Sequence, residues 1–200
     1  MPAQTRVLLI GGSSHSGKST LAAALAGRLG WTQRSTDSLA RHPGRPWRAP
    51  PDAVPLHVAE HYLQLTADER MASVQAHYQG QWPTIEALIQ AHAQDPAAER
   101  LVLEGSALWP SNVAALRGPA VAAVWLTAAD ALFEARIRAG SGYATADARG
   151  RAMIDAFLER TLAFNRAMLA EVERLGLAAV VVDRAMTVEA LAERCAGLIR

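Results

Sequence analysis

Glycine, serine and lysine near the start of the chain are spaced as a phosphate-binding loop requires. Gly12 and Gly17 bracket four residues, and Lys18 and Ser19 follow at once, which completes the G-x-x-x-x-G-K-S pattern of a P-loop. In such a loop backbone N–H groups surround the β-phosphate of a nucleotide, the lysine reaches the β- and γ-phosphates, and the hydroxyl binds Mg²⁺. The predicted ATP-binding residues of the loop are Gly12, Ser13, Ser14, His15, Ser16, Gly17, Lys18, Ser19 and Thr20.

Lys18 is the only lysine in the sequence, and every other side chain with a permanent positive charge is an arginine. A P-loop holds a compact ammonium as a point charge, a role that the planar guanidinium of arginine does not fill. The position of this lone lysine favours a P-loop over a chance glycine-serine turn.

Asp37 and Glu104 lie at the ends of two predicted strands, and ligands of open α/β sheets bind at the carboxyl ends of strands. Asp37 is predicted to orient or deprotonate the hydroxyl of a phosphate acceptor, with Glu104 as the second choice. Glu104 is also predicted to hold Mg²⁺, usually through water, or to position the nucleophile. Two alternatives stay open: Asp37 caps a helix that begins at Ser38, and Glu104 is an ordinary acid at a strand end.

Residues 41–55 contain five prolines, which exclude a regular helix or an interior strand. Arg41, Arg45 and Arg48 must therefore be presented by an irregular loop, which we expect to overhang the acceptor side of a cleft. Three arginines there favour an acceptor that carries phosphate or carboxylate. The alternative is a solvated surface loop.

The apolar pattern alternates between strands and helices, as in a single α/β domain of 200 residues. The predicted strands cover residues 7–10, 31–37, 100–104, 121–127 and 180–183. Four of the predicted helices cover 18–29, 57–65, 154–175 and 188–199. Three more are predicted from their starts: one at a capping box that begins at Thr66, one at Pro83, and one at a capping box at 127–130. On the helix at 154–175, the polar residues that could face the site are Arg160, Asn165 and Arg166.

The segment after the fourth strand combines glycines with clustered arginines. Its helix is expected to break at Gly140 and Gly142, and its arginines are Arg136, Arg138, Arg149 and Arg151. Glycine hinges with arginines are typical of a lid that closes over phosphate. A charge-balanced helix surface is the alternative.

His57 and His61 are four residues apart on a predicted helix, the spacing of one metal-binding pair. No acidic residue completes a recognised zinc motif, so we interpret the pair as structural or substrate-facing.

The composition excludes several classes of protein. A net charge of +1 argues against a nucleic-acid-coating or polybasic membrane protein. A lone cysteine, Cys195, excludes an intrachain disulfide and fits a reducing cytosol. No apolar stretch approaches the roughly 18 residues of a bilayer span. The sequence passes from Met1 almost directly into the first strand, so we expect no signal peptide and a cytoplasmic protein.

Taken together, the P-loop, the strand ending at Asp37, the pair Glu104-Gly105 and the arginine-bearing lid resemble the P-loop kinases of the nucleoside-monophosphate-kinase-like superfamily. Within it, Gly11–Ser14, Ser35–Ser38 and Leu103–Gly105 look most like 2-phosphoglycerate-kinase-like proteins.

This resemblance implies a five-stranded parallel sheet with helices on both faces, a helical substrate-binding insert at about 41–98 and a lid at about 138–151. It also implies that Arg136 stacks on adenine and that Arg138 and the arginines beyond it neutralise the transferring phosphate. Many members place a second arginine four residues after the first, where this chain has Gly140.

The sequence thus predicts an ATP- and Mg²⁺-dependent kinase of a small, anionic molecule. The alternatives are a nucleotide-binding protein that hydrolyses ATP or GTP slowly without an acceptor, and a degenerate kinase kept as a binding module. A chain with one lysine has no Asn-Lys-x-Asp guanine motif, which disfavours a GTPase, and the intact Gly-Lys-Ser-Thr disfavours a degenerate kinase.

Overall fold

A computed structural model describes residues 5–39, 44–49, 53–116 and 118–198. Its strands are β1 (Val7–Gly12), β2 (Thr32–Ser35), β3 (Leu101–Glu104), β4 (Val121–Ala128) and β5 (Ala179–Val182). Its helices are α1 (Lys18–Leu29), α2 (Leu56–Leu63), α3 (Ala67–Gln94), α4 (Pro110–Ala115), α5 (Asp130–Ser141), α6 (Ala148–Arg174) and α7 (Val188–Leu198). Two short 3-10 turns cover Thr36–Ser38 and Pro46–Arg48.

All five strands are parallel, in the order β2-β3-β1-β4-β5. The chain leaves β1 toward β2 and β3 on one side and reaches β4 and β5 on the other. A crevice therefore opens at the carboxyl end of β1, where such sheets bind ligands. The α/β fold class and the five-stranded parallel sheet expected from the sequence are confirmed.

Alternate residues of the buried central strand β1 serve opposite layers of the core. Leu8 and Ile10 pack with α1 and α7, while Val7 and Leu9 pack with α3, α4 and α6. A third apolar cluster joins α2 to α5 and α6 around Tyr62 and Phe157. Helices thus cover both faces of the sheet, and the third cluster brings α2 beside the crevice.

The helical region before β3 differs from the expectation of two helices meeting at Pro83. One helix, α3, runs through this proline, which occupies an exposed position. Val74, Ile85 and Ile89 on both sides of it are buried in the same core layer. Burial of these side chains offsets the backbone hydrogen bond that proline removes.

The capping box expected at Thr127 is wrong, because Thr127 lies inside β4. Its buried hydroxyl donates to Asn165 Oδ1 at 3.0 Å, and α5 begins after Ala129 without a side-chain cap. Gly140 does not break α5 either, since the helix continues to Ser141 and ends at Gly142 in a left-handed conformation.

Helix α6 begins earlier than predicted, at Ala148, where the Asp147 carboxylate accepts the Gly150 N–H at 2.7 Å. Arg149 and Arg151 therefore belong to its first turn. Only a short connection, 142–147, separates α5 from α6. Among the described helices, none is both long and apolar enough to cross a lipid bilayer.

Gly105 joins the ends of β3 and β2 by a contact that no side chain would allow. A Cβ at this position would lie 1.7 Å from Thr36 Oγ1, next to Asp37, and the Gly105 N–H donates to the Ile10 carbonyl at 3.1 Å. The absence of a side chain at Gly105 therefore sets the spacing between the turn that carries Asp37 and the strand that carries Glu104.

We expect Gly105→Ala to lower the free energy of unfolding by about 1–3 kcal/mol, because a methyl group must displace the Thr36 side chain. Gly27→Ala in α1 is a matched control: its added Cβ meets nothing within 4 Å, so stability should rise by roughly 0.5–1 kcal/mol. Urea denaturation measures both, and equal effects would contradict the close approach.

Candidate active site

A cleft of about 1030 Å³ lies at the carboxyl edge of the sheet. Its floor is the loop between β1 and α1. One end is lined by apolar residues of β5 and α7 together with Arg136. The other end is lined by the turn at 44–49, by α2, and by polar residues from the ends of β2 and β3. The cleft therefore has an apolar end and a charged end on either side of the phosphate loop.

The phosphate loop depends on three residues with left-handed backbones: Gly12 (φ 144°), His15 (φ 63°) and Gly17 (φ 99°). A Cβ on Gly12 would lie 2.7 Å from the Leu126 carbonyl oxygen and 2.8 Å from Ser16 Oγ. Gly17 leads directly into α1, so the positive N-terminal end of that helix faces the cleft. This is the geometry that a P-loop needs to bind phosphate.

The Lys18 side chain is only 7% exposed, and its Nζ donates to the Ser13 carbonyl at 2.8 Å. Burial lowers the pKa of Lys18, while the nearby carboxylates of Glu104 and Asp37 oppose that shift. No carboxylate of the described residues lies within ion-pair distance of it. The ammonium is thus held by the loop in a place where a phosphate would neutralise it.

Ser19 Oγ donates to Glu104 Oε1 at 3.0 Å, so the first turn of α1 and the end of β3 meet in the cleft. A hydroxyl and a carboxylate are oxygen ligands of the kind that Mg²⁺ prefers. Among the described residues no cluster of three or more histidines, cysteines or acids could enclose a metal. The donor set fits an ion that keeps several waters and takes its other ligands from nucleotide phosphates.

Asp37 lines the cleft from the 3-10 turn that follows β2, with an exposed side chain. Its backbone N–H donates to Ser35 Oγ at 3.3 Å, so Ser35 caps this turn. Asp37 is therefore not the cap of a helix in the described residues. Its carboxylate shares the cleft with Lys18 and Glu104.

Two of the predicted substrate arginines, Arg45 and Arg48, line the same end of the cleft, and Arg41 lies outside the described residues. Burial and the neighbouring Arg48 guanidinium lower the pKa of Arg45, and Asp37 opposes the shift. Within the described chain neither arginine forms an ion pair. Two guanidiniums held together in this way favour binding of an anion.

A third cation at this end is Arg160 of α6, which is 7% exposed. Its guanidinium lies over the rings of Phe157 and Tyr62, at 4.8 and 5.4 Å from their centroids. Burial raises the pKa of the nearby Tyr78 to about 12, against the effect of Arg160.

The three polar residues of α6 expected to face the site lie in different surroundings. Arg160 lines the cleft, Asn165 is buried against Thr127, and the exposed Arg166 pairs with Asp130 at 2.9 Å. The signal that distinguishes Arg160 is its place on the buried stripe between Phe157 and Phe164. Tyr78 and Ser106, which also line the cleft, carry no comparable signal in the sequence.

The four arginines of the predicted lid also differ in whether they line the cleft. Arg136 lines the cleft and donates from Nη1 to the His15 carbonyl at 2.9 Å. Arg138 does not line it: its guanidinium contacts Glu134 at 2.9 Å and Asp155 at 3.8 Å, and lies 4.3 Å from the Tyr143 ring centroid. Arg149 and Arg151 are exposed on α6 and do not line it either.

The two histidines of α2 point to different surroundings. His57 is exposed and lines the cleft, while His61 is buried with its ring 4.8 Å from that of Tyr62. Burial and the charges of Arg160 and Arg70 lower the pKa of His61 to about 4.

No protein-family description matches the chain, and no curated protein sequence matches it. Solved structures resemble it at low identity. A gluconokinase from Sinorhizobium meliloti 1021 is 22% identical, with a TM-score of 0.53 over 96% of this chain and 90% of that chain. A shikimate kinase from Bacteroides thetaiotaomicron is 14% identical (TM-score 0.53, 96% and 97% covered), and a deoxyadenosine kinase from M. mycoides, solved with bound dATP, is 15% identical (TM-score 0.50, 96% and 97% covered).

These likenesses show the fold alone: the chain has the same fold as these solved kinases, as expected from the sequence. The narrower resemblance to 2-phosphoglycerate kinases stays a prediction.

His15 gives a test of the charge distribution in the loop. Burial, together with the charges of Arg45, Lys18 and Arg136, lowers its pKa from 6.5 to about 4. Between pH 6.5 and pH 4 the unfolded chain therefore binds more protons at this residue, so the free energy of unfolding falls as the pH falls through that range. His15→Asn keeps a residue that accepts positive φ and removes the titration. Its loss of stability between pH 6.5 and 4, measured by urea denaturation, should be smaller than that of wild type; identical slopes would contradict the assignment.

Proposed function

We propose that this chain is an ATP- and Mg²⁺-dependent phosphotransferase that phosphorylates a hydroxyl of a small anionic molecule. The observation that carries the proposal is that one cleft joins the phosphate loop with Lys18 to the Asp37 carboxylate and to Arg45, Arg48 and Arg160. A nucleotide-binding module without an acceptor would have no use for a charged second compartment. Use of ATP by the protein in turn supports a cytoplasmic location.

The nucleotide would lie across the phosphate loop with its base toward the apolar end. That end is formed by Val182, Met186, Val188 and Leu191, with the Arg136 guanidinium beside it. The β- and γ-phosphates would contact the loop N–H groups and Lys18. Mg²⁺, held through Ser19 and Glu104, would supply charge neutralisation between the two phosphates.

The acceptor would enter from the end that carries the arginines. Its hydroxyl oxygen attacks the γ-phosphorus, a new O–P bond forms, and the bond between the γ-phosphorus and the β,γ-bridging oxygen breaks to release ADP. The hydroxyl proton passes to the Asp37 carboxylate. Because the chemistry needs little beyond positioning and charge neutralisation, the cationic surroundings of the γ-phosphate account for most of the catalysis.

The acceptor's own charge would be held by Arg160 at the buried end and by Arg45 and Arg48 at the rim. Charge-assisted hydrogen bonds from guanidiniums to a carboxylate or phosphate contribute about 1.5–3 kcal/mol each. Tyr78 and Ser106 in the deeper part, and the exposed His57, offer hydrogen-bonding groups for hydroxyls of the acceptor. A hydroxylated acid or a phosphorylated polyol fits this arrangement.

The proposal is tested by ADP release from ATP in the presence of candidate acceptors. The anionic set is gluconate, shikimate and 2-phosphoglycerate, and the uncharged set is glucose and deoxyadenosine. We expect an anionic compound to raise ADP release well above the rate without acceptor, and Lys18→Ala to abolish the rise while the protein stays folded. A rate that is independent of every acceptor would favour the slow NTPase instead.

The two acids should have separable roles. Asp37→Asn is expected to cut turnover by about 10² or more with little change in nucleotide affinity, because it removes the proton acceptor but not the phosphate site. Glu104→Gln should instead raise the Mg²⁺ concentration needed for half-maximal rate. Magnesium titrations of both variants measure this difference, and the same Mg²⁺ response in both would contradict the division.

Arg160→Ala is expected to raise the acceptor KM by roughly 10- to 100-fold, the equivalent of one lost charge-assisted contact, and to leave the KM for ATP within about twofold. Arg160→Lys keeps a positive charge but not the planar guanidinium, so its acceptor KM should lie between those of wild type and Arg160→Ala. Arg166→Ala, on the same helix but outside the cleft, is the matched control. Equal losses for both substrates would show that Arg160 is structural.

A further inference from the structure

The short turn that carries the rim arginines packs directly on the phosphate loop. Trp47 stands between Arg45 and Arg48 in the chain, and its ring lies edge-on to Phe157 at 4.8 Å and 5.9 Å from the ring of His15. The Tyr62 hydroxyl also donates to the Gly44 carbonyl at 3.0 Å. The turn is thus anchored to α2, to α6 and to the loop that binds phosphate.

His15 is the residue of the loop where these contacts meet. Its carbonyl accepts the hydrogen bond from Arg136, and its ring also lies edge-on to Phe157 at 5.8 Å. Its Nδ1 makes no hydrogen bond within the described residues, so the ring serves mainly as a packing surface. One residue therefore connects the apolar end of the cleft, the phosphate loop and the arginine turn.

Like charges oppose this packing when no anion is present. Arg45 lies close enough to Lys18 and to His15 to lower the pKa of each, and Arg45 and Arg48 repel one another. The aromatic contacts of Trp47, together with the hydrogen bond from Tyr62 to Gly44, hold the turn in place against this repulsion. Phosphates bound to the loop would cancel the repulsion between Lys18 and Arg45 and let the same contacts tighten.

We propose that His15 and Trp47 are positioning residues through which a bound nucleotide orders the turn at 44–49, so that Arg45 and Arg48 are set for the acceptor only when the donor is in place. This inference rests on the proposed function, since it assigns an order of assembly to that same site. Donor and acceptor binding are then positively coupled, because each completes a surface that the other needs.

The experiment is amide hydrogen exchange of segment 44–49, with and without Mg²⁺ and the non-hydrolysable ATP analogue adenylyl imidodiphosphate. It needs no acceptor. The Arg48 N–H, which donates to the Arg45 carbonyl at 3.2 Å, is one reporter of the turn. In wild type we expect the nucleotide to slow exchange of this segment by about fivefold or more, as expected when local opening is suppressed.

In Trp47→Ala the slowing should fall below about twofold, although the analogue still binds. In His15→Asn it should also fall below about twofold when the analogue is supplied at a concentration that saturates that variant. Trp47→Phe keeps an aromatic ring against Phe157 and should retain most of the protection. Trp109→Ala is the matched control, because Trp109 packs edge-on against Phe164 of the same helix at 5.2 Å and does not line the cleft; it should behave as wild type.

The outcomes separate this inference from the function on which it rests. If the analogue binds and exchange in 44–49 does not change, or if Trp47→Ala keeps the full protection, the inference is wrong and the kinase proposal stands. If wild type does not bind the analogue at all, the proposed function fails and the inference fails with it. If Trp47→Ala does not fold, His15→Asn with saturating analogue decides: full protection of segment 44–49 in that variant would show the inference to be wrong.

Discussion

The candidate site depends on the charge of one buried ammonium. An interior cation costs several kcal/mol unless polar groups compensate it. Among the described residues, Lys18 receives a carbonyl contact and the more distant charges of Glu104 and Asp37. The loop, the helix end and the two acids surround a place where an anion would complete the compensation. Four arginines also line the cleft and favour anions along its length: Arg45, Arg48, Arg136 and Arg160.

The central strand brings these groups together. Buried on both faces, β1 lies between β3 and β4, so the loop at its end emerges where β3 delivers Glu104 and where Trp125 of β4 closes the opposite side. Trp125 is fully packed, its Nε1 donates to the Leu108 carbonyl at 3.0 Å, and a Cβ on Gly11 would lie 2.2 Å from that nitrogen. The position of the loop is thus determined by core packing as well as by its own glycines.

What the sequence predicts well is contiguous. The phosphate loop is specified by eight consecutive positions, and the buried strands by uninterrupted apolar runs, so the loop, the sheet and Glu104 at the end of β3 follow without knowledge of the tertiary fold. Asp37 lies in the turn just after β2, which ends at Ser35, two residues before the predicted end. The errors concern contacts between distant residues. Threonine is a common helix cap, but Thr127 instead forms a hydrogen bond with Asn165 across the core. Proline often begins a helix, but Pro83 lies inside α3, where buried side chains before and after it stabilise the helix.

The roles of the arginines are the hardest to predict from the sequence, because all arginines have the same chemistry and differ only in their surroundings. Arg160, within an apolar stripe, reaches the cleft, whereas Arg138, on a glycine-rich segment, contacts Glu134, Asp155 and Tyr143. The carboxylate or ring beside a guanidinium depends on how the helices pack, and the neighbouring sequence does not indicate it.

The single lysine has a practical consequence for chemical labelling. Reagents that acylate primary amines find many targets on an ordinary protein surface, but this sequence offers one side-chain amine, and it belongs to a buried residue at the floor of the cleft. Burial also lowers the pKa of that amine, which increases the fraction present as the nucleophilic neutral form. A small electrophile shaped for the phosphate loop would therefore attach at one side chain only, and occupancy of the site by nucleotide could be read as protection of a single peptide in a mass spectrum.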